Sequence, residues 1–336
     1  RLLGGVLEDS APVAEPSVPI ITSRPIAPNT SLLRVNSTPP DPDTGADAPP
    51  EARAEAERLG EELRRYAHLY YVEARPEVGD DEYDRLFRRL QTLEAEFPVF
   101  LTGDSPTQRV GAEPNDKFET VDHVAPLLSL DSTQDEVELR RFDDRVRKAL
   151  GEGHPPTYIM EPKLDGASIE LVYVDGVLTR AVTRGNGRAG EGVTDNIRTI
   201  PTVPLRLNTD VRSAPSLLSL RGEVLMYISD FQDFNSALVD AGLDPYASPR
   251  NSAAGSVRQL DSRVTASRKL DLMVYDVLAV EGETFRTDTE GVQAIRDWGF
   301  RVPERIETAG SVEEILAYHE RYGADRETLD YEIDGI

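Results

Sequence analysis

Glu161-Pro162-Lys163-Leu164-Asp165-Gly166 sets an amine beside two carboxylates at a predicted strand end, just ahead of a hairpin. A lysine ammonium, with a reference pKa of about 10.4, is too strongly protonated to attack anything. A site that desolvates it, or brings other cations or a metal close, frees the amine as a nucleophile. The Asp165-Gly166 turn fixes the direction in which the lysine leaves the chain and supplies a carboxylate. Taken alone, such a run is common in loops, and a solvated turn explains it. Its companions shift the balance. Arg184 ends a hairpin strand at Thr183-Arg184-Gly185, and Arg221-Gly222-Glu223 sits inside an apolar strand, where charges are costly unless they face a site. Arg250 and Arg258 lie among small residues in Ser248–Gln259, two forks suited to phosphate oxygens. Tyr275 stands in a strand otherwise rich in Leu, Val and Met. Each alone reads as a surface charge, an ion pair or a core aromatic. Together they make one kit: an amine nucleophile, carboxylates, phosphate-binding arginines and an aromatic able to stack on a base.

A second constellation is a decoy. Gly185-Asn186-Gly187-Arg188-Ala189-Gly190 matches GxGxxG after a strand, and Asp210 follows twenty residues on, as in a dinucleotide-binding fingerprint. That chemistry needs a helix opening at the third glycine to receive the pyrophosphate. The following stretch instead carries Pro201 and Pro204 with no sustained helical period. A sharp glycine turn between strands is the better reading.

The elements that must position these groups follow from composition and period. The 336 residues suffice for about two domains, and a 39% hydrophobic content supports a core. Residues 1–50 contain ten of the 24 prolines and no aromatic, which predicts a disordered Pro-rich tail without a catalytic role. From Glu51, Leu59, Leu63, Tyr66 and Tyr70 recur at helical spacing. A second helix is predicted to start at Asp80 or Asp81 as caps, to bury Tyr83, Phe87, Leu90 and Leu93, and to close at Pro98. This hairpin, over 51–115, is small enough to need a surface to dock on. Strands are predicted over Thr157–Pro162, Ser168–Tyr173, Val177–Thr183, Ser216–Leu225 and Leu270–Val280, with Asp175-Gly176 turning a hairpin. Ser229 with Gln232, and Ser311 with Glu314, read as capping boxes; Gly242 and Gly323 read as helix stops. Hairpins mixed with separate helices predict an α+β fold.

The net charge of -24 repels nucleic-acid phosphates, so any contact with DNA must be local or carried elsewhere. With no cysteine there is neither a disulfide nor a Cys zinc site in this piece. No apolar run approaches the roughly 20 residues that span a bilayer.

The chain closely resembles the NAD-dependent DNA ligases of bacteria from about Glu61 to Ile336. The resemblance is carried by Tyr70-Tyr71-Val72, Asp80–Asp84, Asp104–Gly111, Pro126–Asp131, the Lys163 motif, Thr183–Gly187, Arg221–Glu223, Ser248–Gln259 and Ile333-Asp334-Gly335. It implies a nucleotidyltransferase fold, with ATP-grasp-like antiparallel sheets and helices over 116–336, preceded by a helical subdomain that grips the nicotinamide half of NAD. Lys163 matches the lysine that takes AMP and expels nicotinamide mononucleotide, and Asp165 belongs to its motif. Glu161 matches an adenine contact, Ser129-Leu130 the segment beside the base, and Tyr275 the aromatic stacked on it. Arg184 and Glu223 match groups around ribose and phosphate; Arg250 and Arg258 match positions near DNA phosphates and the transferred group. Tyr70, Tyr71, Asp80, Tyr83 and Asp84 match the nicotinamide contacts, where carboxylates complement a cation and tyrosines stack on its ring.

The resemblance further implies magnesium held through carboxylates and phosphates. It implies a cytoplasmic, monomeric enzyme of replication and repair that seals nicked double-stranded DNA. Zinc belongs only to a module absent from this chain. The family's next lysines would fall beyond Ile336, so the adenylation region is expected to be cut short there. Asn186 and Gly192 stand where the family carries aspartate, and Ser132 where it carries asparagine. These departures keep open a degenerate module that binds a nucleotide or partner without chemistry. A relative using ATP is a further alternative, against which residues Tyr70–Asp84 speak.

Overall fold

A computed structural model describes residues 48–336 apart from 74, 110–116, 129–132 and 134, and leaves the side chain of Asp80 out. The expected tail up to residue 47 and the Ser129-Leu130 segment therefore lie outside the described residues. Nine α-helices are described: α1 (Pro50–Tyr71), α2 (Asp80–Glu96), α3 (Glu136–Leu150), α4 (Thr194–Arg198), α5 (Ile228–Asp240), α6 (Pro249–Val257), α7 (Ser262–Ala266), α8 (Asp288–Asp297) and α9 (Val312–Asp325). The ten described strands are β1 (Thr120–Asp122), β2 (Tyr158–Met160), β3 (Lys163–Leu164), β4 (Ala167–Val174), β5 (Val177–Thr183), β6 (Ala189–Glu191), β7 (Leu217–Leu225), β8 (Asp271–Glu281), β9 (Glu307–Ala309) and β10 (Ile333–Gly335). The chain forms two compact units, whose described residues are 48–128 with 166–303, and 133–165 with 304–336.

The larger unit begins with the helical hairpin. Ala56, Leu59, Leu63 and Ala67 make the buried stripe of α1, and the first three pack with Leu90 and Leu93 of α2. Tyr70, expected on that stripe, is instead exposed, because the face turns inward through Ala67 and Leu69. Gly79, not an aspartate, is the N-cap of α2, and Asp80 is its first helical residue. The hairpin docks through Arg109 and Asp104. The buried guanidinium of Arg109 donates to the carbonyls of Arg198, Ile200 and Val203 at 3.0–3.2 Å, and burial pulls its pKa down. Asp104 accepts from Arg206 at 2.5 Å.

Behind it lies an antiparallel sheet in the order β5-β4-β7-β8. Asp175 and Gly176 both adopt positive φ, 48° and 78°, the geometry of a tight hairpin turn whose twist matches the strands. Alternation then sorts the side chains. Ile169, Leu171 and Tyr173 of β4 pack with Leu218, Leu220 and Val224 of β7 and Leu272 and Val274 of β8 into the core, closed by α6 and α8. The other face of the sheet receives Ser168, Glu170, Arg221 and Glu223. One sheet thus separates an apolar core from a polar face.

In the smaller unit, β2 pairs with β9 and β3 with β10, both antiparallel. The predicted strand 157–162 is therefore broken, since Glu161 and Pro162 separate β2 from β3. Asp143 of α3 accepts from Tyr158 and Arg147, both at 2.7 Å, holding the helix to the sheet.

The α+β class stands, with antiparallel sheets throughout. Among the cap readings, Ser311 does accept from the amide of Glu314 at the start of α9, and Gly242 sits at φ 73° past the end of α5. Two others do not hold. The helix α5 starts at Ile228 with Tyr227 as its cap residue, because the Tyr227 hydroxyl is fixed on Asp271 at 2.5 Å, which puts Ser229 inside the first turn. Gly323 lies within α9, which runs on to Asp325, where the carboxylate meets Arg305 at 2.6 Å.

Candidate functional site

On the polar face of the sheet, Ser168 and Glu223 are direct cross-strand partners, and the serine hydroxyl donates to the carboxylate at 2.9 Å. The Tyr275 hydroxyl donates to the same oxygen at 3.2 Å and stands 3.3 Å from Ser168. Arg221 lies with its guanidinium carbon 5.5 Å from the Tyr275 ring centre and donates to the Leu128 carbonyl at 3.2 Å. Burial pushes the Glu223 carboxyl up to about 7, against the pull of Ser168, Arg221, Tyr275 and Arg250. Tyr275 is likewise raised above the ordinary phenol range, first by burial and then by the Glu223 charge. The close approach that makes this cluster depends on Gly166, where a Cβ would stand 2.3 Å from the Val224 carbonyl oxygen.

Arg184 follows β5 directly, its amide bonded to the Ser168 carbonyl at 3.0 Å. The glycine run after it is a turn, as the proline-bearing sequence behind it required. Gly190 lies within β6, with no helix opening there. Gly185 has φ 52°, and a Cβ on Gly185 or Gly190 would stand 2.0 or 1.7 Å from a backbone oxygen. Asn186 accepts from the amides of Arg188 and Ala189 at 2.9 and 3.0 Å, so its side chain closes this turn. A Cβ at Gly192 would come within 3.1 Å of Val121, leaving little room for a larger residue.

Arg250 stands exposed in the first turn of α6 and Arg258 caps its end. The Arg258 guanidinium is engaged by Glu191 through two bonds of 2.6 and 2.9 Å, side by side, the geometry a phosphate would also accept. In the hairpin, Tyr70 and Tyr71 meet edge-on with ring centres 4.8 Å apart, both exposed. Asp84 is exposed and pairs with Arg88 at 3.3 Å, whereas Tyr83 stacks on Phe87 and belongs to the packing between the helices.

The lysine motif lies in the smaller unit. Lys163 opens β3, and its Nζ is bonded to the carboxylate of Asp334 on the paired strand β10. Both side chains remain about one-third exposed. The Asp165 amide is bonded to the Glu332 carbonyl at 2.9 Å, which closes the turn after the lysine. The Glu332 carboxyl is raised by burial and by the Asp165 charge. No group of three His, Cys, Asp or Glu able to hold a metal occurs among the described residues.

Comparison with known proteins adds to this geometry. Residues 49–111 match the family described as DNA ligase-like, N-terminal NAD+-binding domain. Residues 115–336 match the NAD-dependent DNA ligase adenylation domain. The chain belongs to the NAD-dependent DNA ligase family. It is 46% identical to a DNA ligase of Geotalea daltonii over 287 residues, 85% of this chain and 43% of the relative. It is 46% identical over 299 residues to that of Salinibacter ruber, 88% and 43% of the two chains. With the Haloferax volcanii DNA ligase the identity is 48% over 286 residues, 84% of this chain and 40% of the relative. The chain thus spans less than half the length of the curated relatives it matches.

Sequence reasoning left Asp334 without a role. Its signal was weak: one carboxylate in Ile333-Asp334-Gly335, whose partner lies 171 positions away.

Proposed function

We propose that this chain carries the first step of NAD-dependent DNA ligation, the transfer of AMP from NAD to Lys163. The Nζ attacks the adenylyl phosphorus, an N–P bond forms, and the phosphoanhydride bond to nicotinamide mononucleotide breaks. The amine gives up a proton and the departing phosphate takes the electron pair. The observation that carries this reading is Lys163 at the start of an edge strand, partly open to solvent and bonded to Asp334, a carboxylate placed to orient the amine and share its proton. The amine is neither desolvated nor set among cations as the sequence suggested but rests on a carboxylate, so the pair must part before the attack, with the phosphate in line.

The other roles follow the same reading. Glu161 and Tyr275 contact adenine, with Ser129-Leu130 beside it; Arg184 and Glu223 hold ribose and phosphate. The exposed Tyr70 and Tyr71, with Asp80 and Asp84, grip the nicotinamide half, and Tyr83 supports them from the packing side. Asp165 shapes the lysine turn. Arg250 and Arg258 meet DNA phosphates in later steps, when AMP passes to a 5′-phosphate of nicked duplex and a 3′-hydroxyl displaces it. Magnesium, if bound, would come with the substrate phosphates and offset their charge.

Label transfer in the full-length gene product tests the reading. Adenylyl-labelled NAD should mark the protein, labelled ATP should not, and Lys163→Ala should abolish the label. Uptake from ATP would make the chain an ATP-using relative, and no uptake at saturating NAD and magnesium would make it a binding module.

A further inference from the structure

His123 follows β1 and lies fully buried against Glu170, at the centre of the sheet's polar face. Its Nδ1 is 2.7 Å from Glu170 Oε2, and its Nε2 is 3.1 Å from the carbonyl oxygen of Arg184. A carbonyl can only accept, so Nε2 carries a hydrogen and donates it, whichever way Nδ1 and Oε2 share theirs. The other oxygen of Glu170 accepts from the Val124 amide at 3.0 Å and the Ser219 hydroxyl at 2.7 Å. Every polar atom of the pair is thereby engaged.

Such a pair is a poor way to stabilise a sheet, because apolar side chains of similar volume often serve as well or better. It does confer direction. The Arg184 amide is already held by Ser168 at 3.0 Å, and His123 holds the carbonyl on the other side. The chain then reverses at Gly185. Arg184 is therefore clamped at both peptide groups, at the last position before a sharp turn.

We propose that His123 is a positioning residue for Arg184 in adenylyl transfer, fixing the peptide from which the guanidinium reaches the nucleotide. The proposal rests on the reading that Arg184 faces bound NAD. The Arg184 carbonyl also accepts from the Gly187 amide at 2.9 Å, so without the Nε2 bond it keeps its anchor within the turn and loses the one that ties it to the polar face of the sheet.

A double-mutant cycle on AMP uptake by the full-length gene product tests it. His123→Leu with Glu170→Leu removes the pair without stranding a buried charge. It also leaves the Val124 amide and the Ser219 hydroxyl without that acceptor, so the melting temperature should fall modestly while KM for NAD rises about tenfold. His123→Gln, whose amide can still donate to the carbonyl, should restore most of the affinity. Adding Arg184→Ala to the leucine pair should cause no further loss beyond Arg184→Ala alone. Additive losses, or an unchanged KM in the leucine pair, would overturn the proposal while leaving the role of Arg184 intact. A normal KM in Arg184→Ala would sink both. Should the leucine pair not fold, nitrogen-15 spectra of the four histidines decide. His123 should show a hydrogen bonded to Nε2 and a shift on NAD binding; a bare Nε2 contradicts the clamp.

Discussion

Glu223 shows how one side chain can be tuned by its surroundings. Its folded pKa of about 7 lies above the ordinary value of 4.5, chiefly because the carboxylate is buried. Between those two values the unfolded chain is ionised while the folded one keeps its proton, so stability falls as pH rises through the window and is level above it. The penalty on the ionised form amounts to about 3 kcal/mol. Glu223→Gln carries no such penalty. Denaturant titrations should therefore show the variant gaining on the wild type from pH 5 to pH 8, by up to that amount. A gap that stays constant with pH would mean the carboxylate is not desolvated as described. The departures at Asn186 and Gly192 also gain a local meaning. The first closes a turn that an aspartate oxygen would close equally well, and the second is crowded by Val121, so neither argues by itself for lost chemistry.

At the scale of elements, the glycine turn and the helical hairpin make separable predictions. Gly185 has both a positive φ and a backbone oxygen 2.0 Å from any Cβ, whereas Gly242 has the positive φ alone. Gly185→Ala should destabilise by about 3 kcal/mol or more and Gly242→Ala by about 1 kcal/mol, read from urea midpoints. Equal losses would mean that dihedral strain, not contact, rules the turn. In the hairpin, Asp84 is exposed and pairs along its own helix with Arg88, so Asp84→Ala should leave the melting temperature essentially unchanged. KM for NAD should nevertheless rise. An unchanged KM would remove Asp84 from the nicotinamide contacts.

These elements also mark what was legible in the sequence. The hairpin at Asp175-Gly176, the alternating strands β4, β5 and β7, and the rejection of a helix opening at Gly190, where β6 lies and the five-residue α4 begins only at Thr194, all rest on local chemistry and all stand. What was not legible depends on distant partners. Nothing near Lys163 announces that β3 will pair with residues 333–335, and nothing near Ser229 reveals that Tyr227 is fixed on Asp271 and starts the helix early. His123 and Glu170 give no local signal, because a lone histidine and one glutamate in an apolar strand carry meaning only once they meet.

For the molecule as a whole, charge and length are decisive. At net -24, and spanning less than half of its relatives, this chain should bind nicked duplex no more tightly than about 10 μM at physiological salt. Fluorescence anisotropy would show it, and nanomolar binding would contradict it. Among its basic groups, Arg258 already rests against a carboxylate in a phosphate-like grip. Arg258→Ala should accordingly leave AMP uptake from NAD intact in the full-length gene product while slowing AMP transfer to DNA. The most direct test of the central claim is peptide mass mapping of the full-length gene product after incubation with NAD and magnesium. A single AMP on Lys163, absent from Lys163→Arg and released by nicotinamide mononucleotide, is the expected result; AMP on another residue, or none, would contradict it.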